Sequence, residues 1–388
     1  MENHIIIEQD SKISNEKNTI RMGKKKIGIL SMQEVVNYGS FLQAFALKTI
    51  FTRLGADVCF LKVKAGRQLP GYEYERGLSQ KIKWFYGAIR ANNLVQRIKG
   101  RSKQKAWHKD FHDKFFNLLG VNKVEFNELD LAVIGSDEVF NCVQRIEWGF
   151  STAFFGDIPN AKKVVSYAGS FGHTSYNDIV ANGLINELKP YLTNLSLISV
   201  RDKNSYEIIK SLIGIDPIIN IDPVLVFDFS EFIPDTVKLK NYIIIYSYPY
   251  RINKKEKQAI VNFARKHKKL LVSIGCYYDW CDKFILPDTP FEVLDYFKKA
   301  DYIITDTFHG SIFSMKFQKQ FCTIVRESNQ QKLGYLLNSL AMSNAILTNC
   351  QNLESHLTTP LDYKDNLSIL AKEKEKAYNY LQNCYNLI

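Results

Sequence analysis

Long apolar runs are missing from this chain of 388 residues, and no stretch reads as a helix able to cross a bilayer. Glycine-rich phosphate loops of the Walker or dinucleotide type are also missing. No His, Cys and acid cluster has metal-ligand spacing; His108 and His112 are four apart on a predicted helix, but no third ligand accompanies them. A resident metal or cofactor is therefore not expected. The seven cysteines are odd in number and scattered, with only Cys276 and Cys281 close together. Buried free thiols in a reducing cytoplasm are the expected state. Internal repeats and low-complexity tracts are absent. Residues 1–23 carry acids around a three-Ile patch, which reads as a loose arm and not as a signal peptide.

Acidic residues are scarce in one segment. Between Lys62 and Lys109 there are 13 Lys and Arg against two Glu, a surplus of 11 that equals the net charge of the whole chain, +11. Aromatics such as Tyr72, Trp84, Phe85 and Trp107 are interleaved with the charge. A segment of this kind suits an anionic membrane face or a lipid-linked diphosphate sugar, and equally a solvated helical face. No nucleic-acid-binding motif accompanies it, so nucleic acid is not an expected partner.

What is present is an alternation of strand-like and helix-like segments. Lys25–Leu30, a helix from Tyr38 to Leu54 and Ala56–Val63 open as a βαβ unit. A basic helical insertion over about residues 64–118 follows. Leu129–Ser136, Lys162–Gly169, Ser196–Arg201 and Ile218–Asp222 read as further strands, apolar at consecutive positions as buried parallel strands are. The pattern restarts near residue 230 with Asn241–Tyr248, Lys269–Gly275, the run Tyr302–Ile304 and Phe321–Val325. The expected organisation is an α/β chain of two Rossmann-like domains facing across a cleft, the glycosyltransferase-B type, at 24–230 and 231–345. A tail and C-terminal helix occupy 346–388.

Residues 301–314, DYIITDTFHGSIFS, read as a buried strand, a turn and a helix N-terminus. In an open α/β sheet such turns bind ligands, and a helix N-terminus offers N–H groups to an anion. His309 at this turn is a candidate proton donor, with Asp306 either holding its ring or capping the helix.

The same segment resembles the TD-x-x-HG signature of the polysaccharide pyruvyl transferase family. VIGSDEVFN (Val133–Asn141) is similar to that family's GSD-x-VW block, with Phe140 in place of Trp. NYGSFLQA (Asn37–Ala44), SYAGSFG (Ser166–Gly172), SVRDKNS (Ser199–Ser205) and IDPVL (Ile221–Leu225) complete the series in order. One departure stands out: many members have Arg-Leu before the His, where this chain has Thr307-Phe308. In those members the Arg is thought to help hold the donor.

The resemblance implies transfer of a pyruvyl group from phosphoenolpyruvate to sugar hydroxyls, giving a pyruvate ketal on a surface polysaccharide or its lipid-linked precursor. Arg201, His309, Gly310 and Ser311 are then the expected donor-binding residues, with His309 as acid. Asp137, at the end of an apolar strand, is the expected base for the sugar hydroxyl, with Glu138 as its neighbouring alternative. Asn37, Tyr38, Gly39, Ser40, Tyr167 and Ser170, in small-residue turns, are the expected acceptor contacts or else packing turns. Asp222-Pro223 reads as a structural strand end at the domain junction. The expected location is cytoplasmic, with peripheral membrane contact through 62–109. Two other readings keep the fold: an enzyme using a nucleotide-sugar donor, and a non-catalytic carbohydrate-binding protein.

Overall fold

The computed structural model describes residues 23–74, 94–121, 126–326 and 329–388. The N-terminal arm and much of the basic segment, over 75–93, lie outside the described residues.

Eleven strands form in the described chain, all in parallel pairs. β1 (Lys26–Leu30), β2 (Asp57–Phe60), β3 (Leu129–Ile134) and β4 (Ala161–Ser166) make one sheet in the order β2-β1-β3-β4. Single bridges from Val165 to Leu197 and from Gly169 to Val200 extend it to the short pair β5 (Ser199–Val200) and β6 (Ile218–Ile219). The second sheet is ordered β11-β10-β7-β8-β9, from β7 (Tyr242–Tyr246), β8 (Leu270–Ile274), β9 (Lys283–Ile285), β10 (Tyr302–Thr305) and β11 (Gln320–Thr323). Helices cover both sheets, so the molecule is two Rossmann-like lobes of the glycosyltransferase-B kind. β7 shows why these segments are strands: five apolar or aromatic residues in a row, every one buried. Only a sheet covered on both faces can use such a run.

Helix ends follow local chemistry. Asn37 accepts the N–H groups of Gly39 and Ser40 and starts the helix Tyr38–Arg53. Asn253 and Glu256 form a reciprocal capping box on the helix Lys254–Lys266. The helical stretch between β4 and β5 is broken at Asn182-Gly183 into Tyr176–Ala181 and Ile185–Thr193, and Gly183 takes a φ of 66°. A glycine in the left-handed region ends the first helix without strain and lets the second set off in a new direction.

The lobes share one apolar core. Phe45 of the first lobe meets Phe227, Phe229 and Phe232 of the connecting chain and Phe291 of the second lobe, with ring centroids 4.7–6.3 Å apart, and Phe41 packs on Phe45 and Phe291. The C-terminal helix Lys364–Asn386 returns to the first lobe, where the Tyr380 hydroxyl donates to the Ser166 carbonyl at 2.8 Å. A core continuous across the junction holds the carboxyl ends of the two sheets against each other. Phe41 is buried among these rings. Phe41→Ala should therefore cost about 3–5 kcal/mol of unfolding free energy, measurable by urea denaturation.

Candidate active site at the meeting of the two sheets

Three first-lobe turns and one second-lobe turn converge around a single buried carboxylate. Asp222, at the N-cap of the short helix Pro223–Val226, accepts the Val224 N–H at 2.9 Å through Oδ1. Its Oδ2 accepts a hydrogen bond from Arg201 Nη1 at 3.1 Å and lies 3.6 Å from His309 Nε2. The last distance is a charge contact and not a hydrogen bond. Arg201 follows β5 and reaches on to Asp137, whose Oδ1 is 3.6 Å from Nη2. Ser40 donates to the other oxygen of Asp137 at 2.8 Å. Ser40, Asp137, Arg201, Asp222 and His309 thus form one chain across the lobes.

Burial would raise the Asp222 pKa, but His309 and Arg201 outweigh it and the carboxyl sits below its ordinary range. Burial likewise opposes the Arg201 charge. Asp137, Asp222, Asp202 and Glu138 overcome that and hold the guanidinium protonated. The Phe308 ring packs beneath it with the centroid 4.1 Å away.

His309 lies on the first turn of the helix Phe308–Lys316. Its ring packs directly on the Gly39 backbone: a Cβ at Gly39 would lie 2.1 Å from the ring. Only glycine permits this approach.

Several expected roles change. Asp306 neither holds His309 nor caps the helix. Thr307 is the cap, accepting the Gly310 N–H at 2.9 Å, and Asp222 is the carboxylate that faces the ring. Asp306 turns instead toward Arg251 and Arg326, at 3.8 and 3.9 Å. The N–H groups of Gly310 and Ser311 are taken by Thr307, so the ones the helix geometry leaves for a ligand belong to Phe308 and His309. Glu138 is bound to Lys332 across the lobes and accepts from Asn141 at 2.8 Å, which removes it as a base.

The acceptor set is also corrected. Tyr38 is buried against Trp107, Phe111 and Phe115. Tyr167 is sealed in the core with its hydroxyl on the Ile221 carbonyl at 3.0 Å. Ser170 is buried and donates to Asp202 at 2.5 Å. Their aromatic and hydroxyl groups are consumed by packing, as are the Asn37 oxygen in its cap and the Ser40 hydroxyl on Asp137. Asp222, Lys332 and Phe308 are the participants that sequence reasoning missed. Asp222 had a signal, an acid before a proline at a strand end, but its partners stand far off in the chain.

The family model for polysaccharide pyruvyl transferases matches residues 37–328, so the chain belongs to that family of transferases. Every residue of the converging chain falls within the match. No curated protein matches the sequence. Similar solved structures include UDP-GlcNAc 2-epimerase from Neisseria meningitidis bound to UDP-GlcNAc, at 9% identity over 94% of this chain and 100% of that one, TM-score 0.49. MnaA from S. aureus with UDP gives 11% identity, 94% and 98% coverage and TM-score 0.49. Arabidopsis thaliana UGT89C1 complexed with UDP-L-rhamnose gives 11% identity, 94% and 97% coverage and TM-score 0.48.

The Glu138–Lys332 pair has a testable pH signature. Burial would raise the Glu138 pKa, yet the Lys332 charge and hydrogen bond bring it from 4.5 down to about 2. A carboxyl depressed on folding stabilises fully above its unfolded pKa and loses that contribution as the pH falls through the folded value. The melting temperature should therefore fall as the pH drops from about 4.5 toward 2. Glu138→Gln should flatten that part of the profile, as read by scanning calorimetry.

Proposed function

We propose that this enzyme transfers the pyruvyl group of phosphoenolpyruvate to a sugar of a surface polysaccharide or its lipid-linked precursor, forming a pyruvate ketal and inorganic phosphate. The observation that carries the reading is the convergence of Arg201 and His309 on one oxygen of Asp222. An anion-gripping guanidinium and a proton-carrying imidazole are the two groups the donor requires.

Arg201 still has capacity for a ligand. Its Nε has no hydrogen-bond partner among the described residues, and Nη2 is only loosely engaged by Asp137. The donor's carboxylate or phosphate takes these positions, assisted by the Phe308 and His309 N–H groups and the helix dipole. His309 then protonates the methylene carbon, which becomes a methyl group. The neighbouring carbon becomes an oxocarbenium-like centre.

A sugar hydroxyl adds there and gives its proton to Asp137, whose side chain is 16% exposed and turned to the same guanidinium. The bond from this carbon to the phosphate oxygen breaks, and phosphate leaves carrying the proton held by Asp137. A second hydroxyl of the same sugar closes the ketal, and its proton restores His309. Protons and bonds balance without a cofactor. Phosphoenolpyruvate is made in the cytoplasm, which is where this reading puts the reaction.

Phosphoenolpyruvate should raise the melting temperature, and phosphate release should require both donor and saccharide acceptor. His309→Gln should lower turnover by about 10²–10⁴-fold while keeping the donor-induced melting shift, because Arg201 remains. A melting shift with UDP-sugars and none with phosphoenolpyruvate would overturn the proposal.

A further inference from the structure

The loop that follows β7, Ser247–Ile252, presents two aromatic rings and a guanidinium that the converging chain does not use. Tyr250 is 83% exposed and Tyr248 39%. An exposed pair of large rings is informative where a lone one is not. Tyr250 holds a φ of 64°, a left-handed conformation that a residue with a bulky side chain rarely takes.

The loop is nonetheless fixed in place. The Tyr248 N–H donates to Asp306 Oδ1 at 3.4 Å, its carbonyl accepts from the Tyr278 hydroxyl at 2.8 Å, and the Arg251 carbonyl accepts from Arg326 Nη2 at 2.7 Å. Arg251 itself has a side chain 33% exposed. Its guanidinium lies 5.1 Å from the Tyr248 ring centroid and 3.8 Å from Asp306 Oδ2, without a hydrogen bond among the described residues.

Beneath this loop are polar atoms with unmet capacity. Asp306 is fully buried, and its Oδ2 has no hydrogen-bond partner among the described residues. Arg326 Nε is buried and equally without one. Ser247 is close by, but its hydroxyl donates to the Tyr248 carbonyl at 3.3 Å. Burial raises the Asp306 pKa against the pull of Ser247, Arg251 and Arg326. The Tyr248 N–H bond to Asp306, three residues before His309, puts the loop next to the turn that carries the imidazole.

We propose that Tyr248, Tyr250 and Arg251 form the acceptor-saccharide platform of this enzyme. Pyranose rings have apolar C–H faces that pack on aromatic rings and hydroxyls that both donate and accept. The two tyrosines supply the faces. Arg251 supplies donors to ring and hydroxyl oxygens, and Asp306 holds it from below. As an acceptor site the platform rests on the transfer reaction proposed above; as a saccharide-binding surface it stands without it.

The test is titration of the full chain with methyl pyranosides of the common hexoses and N-acetylhexosamines, by isothermal calorimetry and saturation-transfer NMR. At least one should bind, and Tyr250→Ala, Tyr248→Ala and Arg251→Ala should each weaken it about tenfold or more. The melting shift with phosphoenolpyruvate should stay unchanged in all three. Tyr250→Ala removes an exposed side chain, so its effect is not one of misfolding. Binding by none of the panel, or equal binding by the three variants, overturns the platform. Saccharide binding lost in these variants, with no phosphate release from phosphoenolpyruvate by the unaltered enzyme, supports the platform and removes the transfer reaction. Phosphate release with an unchanged acceptor KM in all three variants overturns the platform and leaves the transfer reaction intact.

Discussion

The Asp222 carboxylate is the interaction on which the rest of the site depends. It is fully buried, it comes from the connection between the lobes, and its single oxygen Oδ2 serves Arg201 of the first lobe and His309 of the second. A buried charge stripped of its partner costs about 3–5 kcal/mol. The three groups therefore specify one another: Arg201 and His309 are placed because Asp222 must be neutralised, and Asp222 is tolerated because they are there. The aromatic core around Phe45 and Phe291 supplies the apolar energy that holds this polar chain together across the junction. The functional consequence is a site formed before any ligand arrives.

The balance of charge bears on how an anion enters. Four carboxylates surround Arg201, so its protonated state is assured, but its neighbourhood is not a ready-made positive patch. Asp137 stands 3.6 Å from the guanidinium without a hydrogen bond to it, and is held instead by Ser40 and the Glu138 N–H. In the proposed reaction an anion bound to Arg201 would take over its contact with Asp137, so that donor binding and the release of this carboxylate from the guanidinium coincide. Thr307 and Phe308 fit this economy. Thr307 spends its hydroxyl on the helix cap, and Phe308 offers Arg201 a ring face and no competing charge. Lys332 brings a second cation from the other lobe, already held by Glu138.

Much of the fold was legible because it rests on local pattern. Five buried residues in a row at β7 are written in contiguous sequence, and the motifs around Asp137, Arg201 and His309 mark strand ends. The short strand β9, Lys283–Ile285, was not legible. It has three residues, of which Lys283 is exposed, and pairing with β8 alone makes it a strand. The site failed in a different way. Tyr38 and Tyr167 lie in turns that suit a ligand, but composition cannot tell a ring facing a sugar from a ring facing Trp107 or Tyr380. Asp222 and Asp306 show the same limit for charge. Both follow apolar strands, and only the tertiary partners, 87 residues apart in the case of Asp222 and His309, decide which one holds the imidazole.

The two lobes treat their turns in opposite ways, and this bears on where a bulky substrate can lie. In the first lobe the turn residues are spent on packing: Gly39 is pressed against His309, Ser40 is bound to Asp137, and Tyr38 is enclosed by rings from the chain around Trp107. A small donor needs no more than the narrow space such packing leaves. A sugar needs area. In the second lobe the turn after β7 turns its rings outward over a buried, incompletely bonded carboxylate. Tight turns on one side and open aromatic faces on the other match the division that the proposed reaction requires, a compact anion gripped beside a much larger polyol.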